Sequence, residues 1–260
     1  MASVPGPSLG PHHQHIVNRK YQPCPTLLSK YTPDQLVTYC PHCDRFVAVC
    51  CECDVRPGKQ KRVCHRFRVV YTDGACPNNG EPTATAGVGV AFGPTVDPDR
   101  RLSVPVDDDI DSHPTRSSQR AELLAAILAL GFIENTAKRS RTGDECLLSP
   151  HHASETAQWI VATDSDYLFQ GITDWVPNKW MPNGMRTAQG REPANRDLFL
   201  GLEISLSVLE EKYNTRVGFW HIPRKMNTIA DGLAKAAAEH GTIASRFRMP
   251  DRDVETVLVL

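Results

Sequence analysis

Four carboxylates in this chain, Asp73, Glu122, Asp164 and Asp231, stand where a backbone could hold them for chemistry. Oxygen donors with no thiolate or imidazole among them suit Mg²⁺ or Mn²⁺, hard cations that take oxygen ligands. A second set of donors is sulfur. Cys40-Pro-His-Cys43 and Cys50-Cys51-Glu52-Cys53 are two Cys-x-x-Cys pairs, each able to put two thiolates on one tight turn. Together Cys40, Cys43, Cys50 and Cys53 make the tetrahedral set that a structural Zn²⁺ prefers. Cys24, Cys51, Cys64 or His65 could substitute in it, and reduced cysteines in a small apolar cluster are the competing reading.

Regular elements must bring the carboxylates together. Val69, Val70 and Tyr71 form an apolar, β-rich run that ends at Thr72-Asp73-Gly74. Taken alone, Asp73 could simply shape a turn there. The segments 87–94 (GVGVAFGP) and 101–106 (RLSVPV) read as two further strands joined as hairpins, which implies an antiparallel portion of sheet. A helix opens at Ser117-Ser118-Gln119-Arg120-Ala121-Glu122 with a serine as N-cap. Glu122 shares its face with Ala125, Ala126 and Ala129, small residues that let a helix lie close on a sheet. A buried, unpaired carboxylate is costly, so Glu122 should sit at the rim or meet a cation. The run Trp159 to Ala162 repeats the opening pattern and ends at Thr163-Asp164. Residues 198–213 read as a helix, 216–223 as a strand closed by Pro223, and 227–240 as a helix with Asp231 in its first turn. There Asp231 would also stabilise the positive end of its helix.

A chain of 260 residues with 40% hydrophobic content suggests one catalytic-sized domain plus a smaller module. The expected division is a disordered tail over 1–20, a Cys-rich zinc-binding module and basic linker over 21–66, the main domain over 67–242, and an extension over 243–260. Within the main domain, 134–156 reads as an exposed insertion. His12, His13 and His15 of the tail could bind a metal loosely or simply be solvated. Arg56, Lys59, Lys61, Arg62, Arg66 and Arg68 could contact phosphates, and a solvated linker explains them equally well. The net charge of −1 requires any basic footprint to be local. No apolar run approaches the roughly 18 residues of a membrane span, and no secretory or transit signal precedes the cysteines. An intracellular monomer in the nucleus or cytoplasm, with the mitochondrion also open, is the expectation.

The combined pattern resembles the type 1 ribonuclease H family. The matching pieces are YTDGAC with Asn79-Gly80 after it, SQRAELLA, ATDSDYL followed by GITDW, NKWxxNGxxT at 178–187, Asn195 before the next helix, and MNTIADGLAKAAA. They span roughly residues 67 to 240 in the family's order. The resemblance implies an α/β (α+β) fold with a five-stranded mixed sheet and helices on both faces. It implies hydrolysis of the RNA strand of an RNA–DNA hybrid, leaving 5′-phosphate and 3′-hydroxyl ends, at an Asp73-Glu122-Asp164-Asp231 site. By similarity Asp73 bridges two ions about 4 Å apart, Asp231 adds to the water-activating one, and Glu122 with Asp164 holds the other.

The resemblance also implies substrate contacts by Asn79, Ser118, Gln119 and Asn195, and a grip on DNA-strand phosphates by Asn183, Gly184 and Thr187 with Trp180 as an apolar wall. Ser118 stands where the family has Asn, so its reach is shorter. Such contacts read shape and the 2′-hydroxyl, so cleavage should be largely sequence-independent. The family's loop histidine is the main departure. His221 lies at the usual sequence distance from Asp231, but aligning the strand makes it the strand-terminal residue. The loop is then shortened, with Arg224 or Lys225 in the histidine's place, and this second alignment is preferred. Competing functions are a non-cleaving nucleic-acid-binding protein of the same fold, an exonuclease or transposon-derived nuclease, and a zinc-dependent adaptor.

Overall fold

In the computed structural model, residues 15–54, 63–97, 99–140 and 157–240 are described. His12, His13, Arg56, Lys59, Lys61, Arg62, residues 141–156 and the extension 243–260 lie outside them. The chain enters through a hairpin of β1 (Ile16–Val17) and β2 (Lys20–Tyr21). Its two-residue loop, Asn18-Arg19, has φ of 47° and 62°, as in the twisted turns that suit hairpins. Residues 16–20, expected within a disordered tail, therefore lie in this hairpin. The reason is a slot on the sheet: a Cβ at Gly218 would lie 2.8 Å from the side chain of Ile16, so glycine makes room for it.

Next come α1 (Pro25–Leu28), β3 (Val37–Cys40), β4 (Arg45–Ala48) and α2 (Cys51–Asp54). The following strands are β5 (Phe67–Ala75), β6 (Gly87–Ala91) and β7 (Arg101–Pro105), then the long helix α3 (Ser118–Ser140). After β8 (Ala157–Thr163) and α4 (Asp166–Gln170) come α5 (Arg196–Ser207), β9 (Thr215–His221) and α6 (Thr228–His240).

Five strands in the order β7-β6-β5-β8-β9 form the mixed sheet, antiparallel on one side of β5 and parallel on the other. The Cys-rich stretch extends this same sheet, rather than forming a module with its own core. β2 runs parallel to β9, and β4 pairs with β5 at Val47 opposite Arg68. The opening for β4 comes from the register: β6 covers only Tyr71 to Ala75 of β5, which leaves the first half of that edge unpaired by it. β4 occupies that half, and the Phe46 amide donates to the Phe92 carbonyl at 2.8 Å.

The two faces of the sheet are covered differently. On one, Val70, Val88, Val90, Val161 and Phe219 pack under α3, α5 and the irregular helix 171–180. On the other, α6 lies over β5, β6 and β7, and its backbone touches Gly87 and Gly89. The remaining apolar surface, including Phe67, Val69, Ile160, Ala162 and Ile222, is capped by Ile16, Tyr21, Leu27 and Leu36. Leu27 and Leu36 are almost fully buried, and each contributes on the order of 2 kcal/mol by leaving water. The N-terminal segment thus supplies the second half of a core that α6 alone does not cover.

Two local expectations change. Asp73-Gly74 is not a turn, because β5 continues through it, with Asp73 opposite Gly89 and Gly74 opposite Val88. A Cβ at Gly74 would meet the Ala121 and Glu122 backbone at 2.3 Å, so the glycine lets α3 approach. The stretch expected as an insertion from 134 begins as helix, since α3 runs to Ser140 with Thr136 buried and Glu134 paired to Lys138 at 2.9 Å. No helix among the described residues is long and apolar enough to cross a membrane.

Candidate functional site

Each acidic residue is placed by a different element. The parallel ladder between β5 and β8 ends at Tyr71 opposite Ala162, so beyond Thr72 the strand opens on that side. Asp73 lies in this opening, and Asp164 follows the last residue of β8. Glu122 arrives on the first turns of α3, whose start is held by two oxygens. Ser117 Oγ accepts from the Arg120 amide at 3.3 Å, and Asn79 Oδ1 from the Ser118 amide at 3.1 Å. Asp231 arrives on the first turn of α6, where Lys235 pairs with it at 2.8 Å. Gly89 permits this approach, since a Cβ there would lie 2.1 Å from the Ala230 carbonyl oxygen.

The four carboxylates are electrostatic neighbours. Burial first, then the charges of Asp164 and Asp231, push Asp73 up to about 7. Burial, followed by Asp73 and Asp164, holds Glu122 well above the ordinary carboxylate range. Glu122 Oε2 is enclosed and has no hydrogen-bond partner. An orphaned buried oxygen beside Asp73 and Asp164, with Asp231 acting on Asp73 in turn, fits a site built for divalent cations, with oxygen as its only donor type. Nearby positive charge is sparse. Arg224, with a side chain 75% exposed, reaches Asp231 at 3.4 Å and Asp164 at 4.0 Å.

His221 ends β9 and lies beside the acids rather than among them. Its Nε2 is 3.7 Å from Asp166 and 3.4 Å from the Asp164 carbonyl, and its ring stacks on Phe169. Gln119 is exposed and Ser118 half-buried at the same helix start as Glu122. Asn183 donates to the carbonyls of Arg186 and Thr187, at 3.2 and 2.9 Å, and Thr187 Oγ1 accepts from the Arg191 amide. These bonds brace an exposed loop, while Trp180 packs on Phe199 behind it. Asn195, with φ of 56°, bonds Arg120 and Tyr167.

Two positioning residues escaped the sequence reading. Asn227 Nδ2 donates to Asp164 Oδ1 at 2.6 Å and to the Thr72 carbonyl at 2.9 Å, tying α6, β8 and β5 together next to Asp73. It stands immediately before α6, and only the fold shows its side chain turned to the acid. Arg120 is buried and grips Asp111 with two 2.7 Å bonds and Asp197 with bonds of 2.7 and 3.1 Å. Burial raises the Asp111 carboxyl, and the bonds from Arg120 outweigh it to hold that group below its usual range. This network anchors the start of α3 while Glu122, two residues on, faces the sheet. An arginine inside SQRAELLA, with two residues between it and an apolar run, was the available signal.

The cysteines divide differently from expectation. Cys40, Cys43 and His65 form one group and Cys50, Cys53 and Cys64 another, with donor atoms within 4.8 Å of one another in each. Contact with Cys50 and burial drive the Cys64 thiol far above its usual range. His15 Nε2 is 3.4 Å from Cys51 Sγ, near the second group.

A family model described as RNase H matches residues 66–239. The chain is 31% identical over 175 residues to ribonuclease H1 of Rattus norvegicus, covering 66% of this chain and 50% of that protein. It is 33% identical over 156 residues to ribonuclease H of Crithidia fasciculata, covering 57% and 30%. The chain therefore spans about half or less of the length of these relatives. Among solved structures, LC11-RNase H1 in complex with RNA/DNA hybrid aligns with TM-score 0.41 and 20% identity over 66% of this chain and 97% of that one. The solution structure of the PFV RNase H domain aligns with TM-score 0.44 and 19% identity, covering 65% and 93%.

Proposed function

The chain belongs to the ribonuclease H family, and from that premise we propose that it hydrolyses the RNA strand of RNA–DNA hybrids at the Asp73, Glu122, Asp164 and Asp231 site. The observation that supports this reading most is the clustering of four carboxylates, with Asp73 acted on by Asp164 and Asp231, and Glu122, whose Oε2 is enclosed and unpartnered, by Asp73 and Asp164. Such mutual repulsion has little use unless cations join the site. Mg²⁺, or Mn²⁺ in its place, would be held by these four groups. When bound as a pair it supplies an activated water and charge compensation at the leaving 3′-oxygen, consistent with 5′-phosphate and 3′-hydroxyl products.

The remaining work falls to the chain itself. Asn227 orients Asp164 through its 2.6 Å bond and so sets the direction in which that carboxylate offers its other oxygen. Arg224, exposed and lightly held between Asp164 and Asp231, is free to swing to a phosphate and assist turnover in place of a loop histidine. His221 is held by Asp166 and Phe169 and orients the surround of Asp164. Gln119 and Ser118 present hydrogen-bonding groups to the minor groove and 2′-hydroxyls beside Glu122. Asn79 keeps its amide available while its oxygen caps α3. Asn183, Gly184 and Thr187 form a braced loop for DNA-strand phosphates, and Asn195 holds Arg120 behind the groove.

The test is incubation of the protein with end-labelled RNA–DNA hybrid, duplex RNA and duplex DNA, in Mg²⁺ or EDTA. Cleavage confined to the RNA strand of the hybrid, and dependent on the cation, is expected. An intact hybrid in Mg²⁺, or equal cutting of all three duplexes, contradicts the reading.

A further inference from the structure

The two Cys-x-x-Cys pairs face different partners. Cys40 and Cys43 lie on the tight connection from β3 to β4, closed by the Asp44 amide donating to the Cys40 carbonyl at 2.8 Å. Cys50 immediately precedes α2 and Cys53 lies on its single turn, a spacing of three that places both on one side. The third donors are adjacent in sequence. Cys64 joins Cys50 and Cys53, and His65 joins Cys40 and Cys43. The chain entering β5 therefore delivers one donor to each group.

Distances support the same division. Zinc bonds of about 2.3 Å to sulfur and about 2.0 Å to nitrogen place the donors of a tetrahedral site about 3.5 Å apart. Cys43 Sγ and His65 Nε2 are 3.4 Å apart, and all six donors fall within 4.8 Å of their group partners. In each group the outer members are buried and the middle cysteine is half-buried, the exposure an ion needs for entry. No disulfide joins cysteines among the described residues. Thiolates and imidazole favour a borderline-soft ion and disfavour Mg²⁺, so these groups are chemically distinct from the carboxylate site.

We propose that Cys40, Cys43 and His65 supply three of the four ligands of one Zn²⁺ ion and Cys50, Cys53 and Cys64 three of the four of a second, with a water or one further donor completing each tetrahedron. The two ions staple the β3–β4 connection and α2 to the two residues that lead into β5. That strand carries Asp73 toward its other end, so the pair ties the N-terminal cover of the sheet to the strand at the centre of the acidic site. Zinc then acts as a structural brace, removed by strong chelators and not replaced by Mg²⁺.

Native mass spectrometry and elemental analysis of the full chain, purified without chelator, read the stoichiometry directly. Two zinc ions per chain are expected. Cys43→Ser and Cys53→Ser, both at half-buried positions, should each retain one ion, and the double variant none. With Co²⁺ substituted, Cys43→Ser should keep the stronger sulfur charge-transfer band because the three-thiolate group survives. Removing zinc should lower the melting midpoint by about 10 °C, restored by Zn²⁺ and not by Mg²⁺. A wild-type protein with one ion, lost entirely in either single variant, overturns the proposal in favour of a shared Cys40, Cys43, Cys50 and Cys53 site. Absence of zinc, or a mass deficit from disulfides within the pairs, overturns it outright. The wild-type stoichiometry decides even if a variant fails to fold.

Discussion

Replacing Asp73 by asparagine should stabilise the metal-free protein. Asp73 is 5% exposed, and burial with the charges of Asp164 and Asp231 raises it from 3.8 to about 7. A raised acid is one the folded chain holds protonated while the unfolded chain has already released the proton. Its contribution to stability is therefore present below 3.8 and is lost as pH climbs through about 7. Above that point the accumulated penalty is up to about 4 kcal/mol, at 1.36 kcal/mol for each tenfold change in proton affinity. An asparagine at this position carries no charge and escapes it. In EDTA at pH 8, Asp73→Asn should gain up to about 4 kcal/mol in denaturant unfolding, or about 10 °C in melting midpoint. At pH 4 the gain should nearly vanish. Saturating Mg²⁺ should stabilise the wild type and not the variant. A variant no more stable than wild type at pH 8, or equally stabilised at both pH values, would refute the electrostatic account of this site.

Other perturbations separate positioning from folding. Asn227→Ala removes the bonds to Asp164 and Thr72 and should lower kcat for hybrid cleavage about 10- to 100-fold with KM little changed, measured by steady-state kinetics. Arg120→Ala leaves Asp111 buried without its cation and should cost about 4 kcal/mol in denaturant unfolding. Gly89→Ala drives a Cβ to 2.1 Å from the Ala230 carbonyl and should destabilise by about 2 kcal/mol while displacing Asp231. Gly232→Ala, with open space at its Cβ, should instead stabilise α6 by about 0.5–1 kcal/mol. Thermal melts of the two glycine variants side by side check the contrast.

The site was more legible in the sequence than its surroundings. Asp164 could be placed because an apolar strand run ends just before it, and Glu122 because an acid on an alanine-rich helix face is costly without a purpose. Asp73 lies on the strand that its apolar run predicts, but not at a turn. Gly74 suggested a turn, whereas it serves the close approach of α3, a contact between segments distant in sequence. Asn227 and Arg120 were unreadable as positioning residues because their partners, Asp164 and Asp111 with Asp197, lie on other elements. The place of the N-terminal segment in the sheet was not legible for a related reason. Its strands are two to four residues long and lack a period of their own, and their hydrophobic partners are Phe67, Ile160 and Ile222 of the central sheet. Spacing likewise grouped the cysteines by sequence proximity. Pairing across the β3–β4 connection and the entry to β5 regrouped them.

The central claim is that Asp73, Glu122, Asp164 and Asp231 act together on an RNA–DNA hybrid. Its most direct measurement is single-turnover cleavage of a labelled hybrid in Mg²⁺ by wild type and by Glu122→Gln, which keeps the side chain's size while removing its charge and one of its two oxygens. The account predicts RNA-strand cleavage by wild type and a loss of about 1,000-fold or more in the variant, with hybrid binding retained. Cleavage by Glu122→Gln at the wild-type rate would contradict it.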